Sequence, residues 1–190
     1  MKLAPCPVAT FPNSKPIARA GCLRNSSGST KSRYSIFMPN PDETIVIPTV
    51  LMHADAVLPN YAHLFDAGAD LVSIEPATLL PGERKLIATG LAMAIPEGFV
   101  GLVHPRSGLA FKNGIALVNA PGTIDAGYRG EIKVCLINLD PTEAVELPAG
   151  SRIAQLVVQK VEQAKFEVVT ELPNTERGTG GFGSTGISSS

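Results

Sequence analysis

Four short stretches and a C-terminal tail hold the side chains of this sequence best suited to chemistry on a charged substrate. In "HPRSGLAFKNG", His104 to Gly114, an apolar run ends at Pro105, and Arg106, Ser107 and Gly108 open what reads as a short helix. A helix start presents N–H groups without intrahelical partners. A guanidinium and a hydroxyl beside it make a compact phosphate site. In "NAPGTIDAGYRGEIKV", Asn119 to Val134, the pattern reads as a strand, a connection through Asp125, Ala126 and Gly127, and a return strand. This predicts a hairpin with Gly127 in the left-handed position. Such a hairpin presents Asp125 and Tyr128 from a rigid element. A carboxylate fixed there can orient and deprotonate a water, and the ring can stack on a sugar or base.

Two further stretches are polar where their surroundings are apolar. In "SRIAQL", Arg152 and Gln155 interrupt an apolar strand, and buried polar groups need partners, here a phosphate or a neighbouring loop. In "AGADLVS", Gly68 permits a tight turn into a strand that Asp70 begins. The tail "RGTGGFGSTG", Arg177 to Gly186, has five glycines among ten residues, yet also a Phe, an Arg, a Ser and two Thr. A plain linker needs none of these, and a phosphate loop normally joins a strand to a helix. The composition fits a mobile flap that closes over a ligand held elsewhere. Taken singly, each stretch also fits structural punctuation: a turn Gly or Asp, a Ser N-cap, a core Tyr.

Composition narrows the chemistry. Residues 1–37 carry six basic residues and no acid, while the remainder has 10 basic against 17 acidic residues. The acidic body argues against a broad nucleic-acid surface, so any phosphate must be held locally by a few Arg residues or a metal. Cys6, Cys22 and Cys135 form neither a disulfide framework nor a metal-ligand spacing, and His53, His63 and His104 show no paired metal pattern. No apolar run reaches the roughly 18 residues of a membrane span, and no G-x-x-x-x-G-K-[ST] phosphate loop occurs.

The elements that must position these residues read as strands. From about Thr44 onward, short β-branched runs follow one another: "TIVIP", "ADLVSIE", "KLIATGLAMAIP", "FVGLVHP", "GIALVNAPGTID", "EIKVCLINL", "AVELP", "RIAQLVVQKV" and "FEVVT". Pro or Gly separates most of them at near ten-residue intervals, the signature of an all-β sandwich or barrel. "RIAQLVVQKV" alternates poorly, but Pro148, Gly150 and its Val content favour a strand. "FKNG" and "MHADAV" each read as one helical turn. Strands apolar on both faces imply that another subunit covers part of the surface. Residues 1–37 read as a basic disordered arm, a transit-like leader or an over-long start ahead of Met38, lacking the apolar core of a secretory signal.

The five segments "AGADLVS", "PRSGLA", "GTIDAGYRGEI", "RIAQL" and "RGTGGFGSTG", in this order, resemble the five ordered motifs of the trimeric dUTP pyrophosphatase (dUTPase) family. "NAPGTIDAGYRGEIKV" is similar to its actinobacterial-type members. The resemblance covers roughly residues 66–186. It implies an all-β distorted barrel or jelly roll over residues 38–172, a flexible C-terminal arm over 173–190, and a homotrimer whose active sites are shared between subunits. It implies hydrolysis of dUTP to dUMP and pyrophosphate in the cytoplasm, which keeps uracil out of DNA and supplies dUMP for thymidylate synthesis. No nucleic-acid or membrane partner is implied.

By motif, the resemblance makes Asp125 the carboxylate that activates water at the α-phosphorus. Asn119 and the 119–125 backbone would read the uracil edge and exclude a 5-methyl group. Tyr128 would stack under the deoxyribose and exclude a 2′-hydroxyl. Arg106, Ser107, Gly108 and Gln155 would hold phosphate oxygens, and Thr123, Ile124 and Lys133 are further substrate contacts. Asp70 supports the metal and phosphate end. In the arm, Phe182 would stack on uracil, Arg177, Ser184 and Thr185 would reach the phosphates, and Gly183 belongs to the same binding set. Mg²⁺ would be held mainly by the triphosphate and water, without a direct protein ligand. Ala69 stands where many members carry a bulkier residue. A deaminase of dCTP on the same fold would need a catalytic Glu and an altered third motif, against "IDAGYRG" and the Phe182 arm. A silent nucleotide-binding regulator would not need Asp125 and Arg177.

Overall fold

The computed structural model describes residues 44–179. The 1–37 extension and the arm residues Phe182, Gly183, Ser184 and Thr185 lie outside the described residues. Ten strands and one short helix follow in order. They are β1 (Thr49–Leu51), β2 (Ala69–Val72), β3 (Ala77–Leu79), β4 (Arg84–Met93), β5 (Phe99–His104), α1 (Ser107–Asn113), β6 (Ile115–Leu117), β7 (Gly122–Ile124), β8 (Ile132–Asn138), β9 (Val145–Leu147) and β10 (Arg152–Lys160). All pairings are antiparallel. One sheet has the order β1-β4-β8-β6, a second β2-β10-β5-β7, and β3 with β9 form a two-stranded ribbon.

Alternation explains how the sheets face one another. In β8 the inward set Ile132, Val134, Leu136 and Asn138 is buried, and the outward set is not. Leu71, Val103, Ile153 and Leu156 of the second sheet join Ile87, Leu91 and Val134 of the first, with Leu79 and Leu147 of the ribbon, in one core cluster. This is the all-β, jelly-roll-like arrangement that period-two patterning predicts.

The irregular runs are bulges. The pairing of β10 with β2 shifts register between Arg152 and Ala154, so the adjacent Ile153 and Ala154 both turn inward. That extra residue is why "RIAQLVVQKV" breaks alternation while remaining a strand. A second shift lies in β4 between Ala88 and Leu91, where Gly90 takes φ 67°. The buried Thr89 beside it donates from Oγ1 to the Ile132 carbonyl (2.6 Å), and Glu131 Oε1 accepts the Gly90 N–H (3.0 Å). The bulge thus leaves its polar groups paired.

Several sequence expectations need correction. "TIVIP" forms no strand; pairing begins at Thr49. "FEVVT" likewise forms none, with Phe166 94% and Val168 100% exposed, because no strand of this chain lies beside it to complete a ladder. "MHADAV" is a turn rather than a helical turn, while "FKNG" closes α1 with Gly114 as its left-handed C-cap. The predicted hairpin is not one: β7 pairs with β5 and β8 with β4 and β6, so Asp125 lies on a crossing between sheets. Gly127 is not among the glycines with positive φ in the described residues. The Tyr128 N–H donates to the Asp125 carbonyl instead (3.0 Å). Strand β3, in "PATLLP", escaped the sequence reading because Pro brackets a three-residue run.

The turn after β8 is carried by carboxylates and one amide. Buried Asn138 donates from Nδ2 to the carbonyls of Leu79 and Glu143 and accepts the Asp140 N–H. The N–H groups of Thr142 and Glu143 donate to Asp140 Oδ1 and hold its carboxyl below the ordinary value of 3.8. The charge on Asp140 therefore stabilises the fold above the ordinary carboxylate range and ceases to do so as pH falls through the lowered folded value. Asp140→Asn should melt below wild type at neutral pH, and the gap should close under strong acid; thermal melts of both proteins across pH 2–7 on a common buffer series check this.

Candidate active site

The residues singled out for chemistry separate into two cavities on this chain. The first, about 180 Å³, is lined by Asn119, Thr123, Ile124, Asp125, Tyr128 and Lys133, with Glu131 and the apolar side chains of Val103 and Leu117. The second, about 290 Å³, is lined by Asp66, Gly68, Asp70, Arg106, Ser107, Gly108 and Gln155. No residue lines both. Sequence reading treats them as one site; the single chain holds its halves apart. Arg177 lies in the described turn that Gly178 closes back to Thr175 and lines neither cavity.

The first cavity is built by the sheet crossing after β7. Asp125 is exposed there. Two Arg129 donations, to the Ala126 carbonyl (2.6 Å) and the Tyr128 carbonyl (2.7 Å), clamp the crossing. The Tyr128 hydroxyl donates to the Glu131 carbonyl (3.0 Å), which fixes the ring across the turn. Gly130 makes this possible, since a Cβ there would stand 2.5 Å from the Tyr128 hydroxyl. Cavity one therefore combines an apolar floor, one half-exposed ring, the exposed Asp125 carboxylate and the Glu131–Lys133 ion pair.

The second cavity is electrostatic. Arg106 Nε meets Asp70 Oδ1 at 2.9 Å, and Arg152 Nη1 meets Asp70 Oδ2 at 3.1 Å. One carboxylate, 15% exposed, thus holds two guanidiniums. Arg106 Nη1 also donates to the Arg152 carbonyl (3.3 Å). The predicted Ser cap does not form: Arg106 is the N-cap of α1 and makes no side-chain capping bond. Gln155 Nε2 donates to the Pro105 carbonyl (2.9 Å), which ties β10 to the strand end that presents Arg106. Asp66 adds a second carboxylate, its Oδ2 accepting the His63 N–H (2.8 Å). Guanidinium donors beside hard carboxylate oxygens suit a polyphosphate together with a cation and its waters. No three His, Cys, Asp or Glu side chains gather as a metal-binding group among the described residues.

Sequence reasoning left Asp66 and Glu131 outside the site. Arg152 was visible as polar in an apolar strand, but its partner Asp70 is 82 positions away. Gly68 has a reason beyond its turn. A Cβ there would meet Gln155 Oε1 at 2.5 Å, and the backbone needs no positive φ. Gly68→Ala should therefore displace Gln155 without unfolding the chain. A crystal structure of the variant should find the Gln155 to Pro105 bond broken, with the melting temperature lowered by only a few degrees, roughly as a small local clash does.

Comparison with known proteins points to one family. The sequence model of the dUTPase family matches residues 54–186. The deoxyuridine 5′-triphosphate nucleotidohydrolase of Rhodococcus erythropolis is 61% identical over 132 residues, covering 70% of this chain and 80% of the relative. Those of Streptomyces griseus and Corynebacterium glutamicum are 59% and 57% identical, covering 72% and 74% of this chain and 77% and 94% of theirs. Among solved structures, a point variant of the Staphylococcus bacteriophage 80alpha dUTPase with dUpNHpp superposes with a TM-score of 0.71 at 31% identity, over 76% of this chain and all of that one. A dUTPase variant from phage phi11 of S. aureus, described as revealing the coordination of a structural Mg(II) ion, superposes with a TM-score of 0.62 at 28% identity, covering 67% of this chain and 98% of that one. The chain belongs to the dUTPase family.

Proposed function

We propose that this chain hydrolyses dUTP to dUMP and pyrophosphate, with the nucleoside in the cavity of Asp125 and Tyr128 and the triphosphate against Arg106. The observation that carries this reading is the sorting of the motif residues. One cavity pairs an apolar floor and a ring with the exposed Asp125 carboxylate and the Glu131–Lys133 pair, and the other gathers the Arg106 guanidinium with Ser107, Gln155 and the carboxylates of Asp66 and Asp70.

Asn119 and the 119–125 backbone read the uracil edge, with Thr123 and Ile124 completing the wall. Tyr128 packs against the deoxyribose, where a 2′-hydroxyl would collide. Asp125 takes a proton from a water as its oxygen attacks the α-phosphorus. The bond from that phosphorus to the bridging oxygen breaks, and pyrophosphate leaves with the electron pair. Arg106, Ser107, Gly108 and Gln155 hold the phosphate oxygens, and Asp70 fixes the Arg106 fork from behind. Mg²⁺ held by the triphosphate would neutralise part of its charge, and Asp66 and Asp70, which line the same cavity, would be the carboxylates available to its waters. The C-terminal arm, residues 173–190, supplies Arg177, Phe182, Gly183, Ser184 and Thr185 as a lid that excludes water. The enzyme works in the cytoplasm on free nucleotide. A phage relative in the same fold carries a dUTP analogue, dUpNHpp, which supports the substrate.

Two separate half-sites on one chain point to a second copy. A homotrimer would set the Asp125 cavity of one copy against the Arg106 cavity of the next. The unpaired apolar residues Phe166, Val168 and Leu172 support it, since such surface is normally covered. The barrel domain of each copy is taken as residues 38–172, of which 38–43 lie outside the described residues.

Pyrophosphate release with Mg²⁺ from dUTP, dTTP, UTP and dCTP at equal concentration tests the reaction. Release confined to dUTP is expected; ammonia from dCTP would instead indicate a deaminase, and binding without release a regulator. Asp125→Asn should bind dUTP nearly as wild type does while turnover falls about 10²–10⁴-fold, as for a lost general base. Wild-type turnover in that variant would remove Asp125 from the mechanism.

Subunit sharing has its own test. Arg106→Ala and Asp125→Asn should each be inactive. Unfolded together and reassembled one to one, they should regain about a quarter of wild-type activity, because sites between copies sometimes receive both intact residues. No recovery would place both halves of each site on one chain.

A further inference from the structure

Glu131 carries no role in the reaction as derived so far, yet three contacts of the first cavity meet on it. Its Oε1 accepts the Gly90 N–H at 3.0 Å, and its Oε2 faces Lys133 Nζ at 3.2 Å. Its own carbonyl accepts the Tyr128 hydroxyl at 3.0 Å. The carboxylate is 20% exposed, whereas Lys133 is 43% exposed. Glu131 immediately precedes β8 and Lys133 is its second residue; two apart, they point to the same side, opposite the core set of β8. Both line the cavity with Asp125 and Tyr128.

The anchor on the other side is rigid. Gly90 sits in the β4 bulge with φ 67°, and a Cβ there would come within 2.9 Å of the Ala56 Cβ. Thr89 pins the same bulge to the Ile132 carbonyl. A carboxylate held by that backbone N–H is a fixed point, whereas a lysine ammonium on four methylenes is not. Left alone, Lys133 would range through solvent, and each substrate would have to order it on binding.

We propose that Glu131 is a positioning residue: it transfers the rigidity of the Gly90 bulge to Lys133 and holds that ammonium ready at the wall of the nucleotide cavity. This rests on the dUTPase reading of that cavity. The effect belongs to binding and not to the chemical step, because the backbone that presents Asp125 is held by the Arg129 clamp and the Tyr128 N–H and not by the Glu131 carboxylate.

A double-mutant cycle tests it on the full-length enzyme. Glu131→Gln keeps an oxygen for the Gly90 N–H and loses the charge that holds Lys133. It should raise KM for dUTP about tenfold, within the usual range for directly paired residues, with kcat within about twofold and an unchanged pH profile. Lys133→Met should raise KM by a similar factor, and the double variant should be no worse than Lys133→Met alone. Fully multiplying effects would overturn the proposal, as would an unchanged or lower KM in Glu131→Gln, or an equal fall in kcat. If Glu131→Gln does not fold, NMR of ¹⁵N-lysine in the parent enzyme decides. An ordered Lys133 ammonium with cross-peaks to the Glu131 side chain is expected; a freely moving one sinks the idea. A parent enzyme that does not hydrolyse dUTP would defeat the functional reading instead, and the NMR result would still decide whether Glu131 holds Lys133.

Discussion

The carboxylate of Asp70 is the interaction on which the charged half of the site depends. It sits at the start of β2 and takes one guanidinium from Arg106 and another from Arg152. Isolated surface pairs contribute little, but this carboxylate is mostly buried and serves two cations. Without it, two neighbouring guanidiniums would repel each other and spread toward solvent. With it, both are held and the remaining N–H groups of Arg106 are aimed, a geometry suited to paired donation to an oxyanion. The sheet makes the arrangement possible, because β10 pairs with β2 on one edge and with β5 on the other. Arg152 on β10, Asp70 on β2 and Arg106 just beyond β5 are thereby brought to one end of the barrel.

The same sheet explains why the two halves of the site are separate. β5 lies between β10 and β7, so Gln155 and Thr123 belong to one layer yet serve different cavities. From β7 the chain crosses to the other sheet, carrying Asp125 with it. A triphosphate needs its base and its charged end gripped at once, and an enzyme that spreads the grip over copies gains a site only on assembly. Beyond β10 the single chain leaves apolar surface open at Phe166, Val168 and Leu172.

The fold class and most of the strands were legible, because alternation in "EIKVCLINL" and the turn residues between runs follow directly from the pleat. The site was legible as separate local stretches: Arg106 to Gly108 at a strand end, and Asp125 with Tyr128 beyond another. Their combination came from the order of the motifs. What stayed hidden is non-local. Nothing in "AGADLVS" says that Gly68 must leave room for Gln155, or that Asp70 would meet a residue 82 positions on. The hairpin expectation for "GTIDAGYRGE" failed for the same reason. Local turn chemistry fits a hairpin, but strand partners are chosen by the sheet, and β5 took β7 while β4 and β6 took β8.

Bulges are the places where sequence pattern and function part company in this chain. Each costs a ladder contact and spoils alternation, and each here serves the neighbourhood of a cavity. The shift in β10 turns Ile153 and Ala154 inward together, leaving Arg152 outside to reach Asp70. The shift in β4 turns the Gly90 N–H away from the ladder and toward Glu131. A regular strand in β4 would pair the Gly90 N–H with its neighbour strand and lose the contact with Glu131. Broken alternation beside a motif is thus a sequence signal in its own right, and here it marks where a backbone N–H in β4 and the side-chain order in β10 depart from the regular ladder beside a cavity.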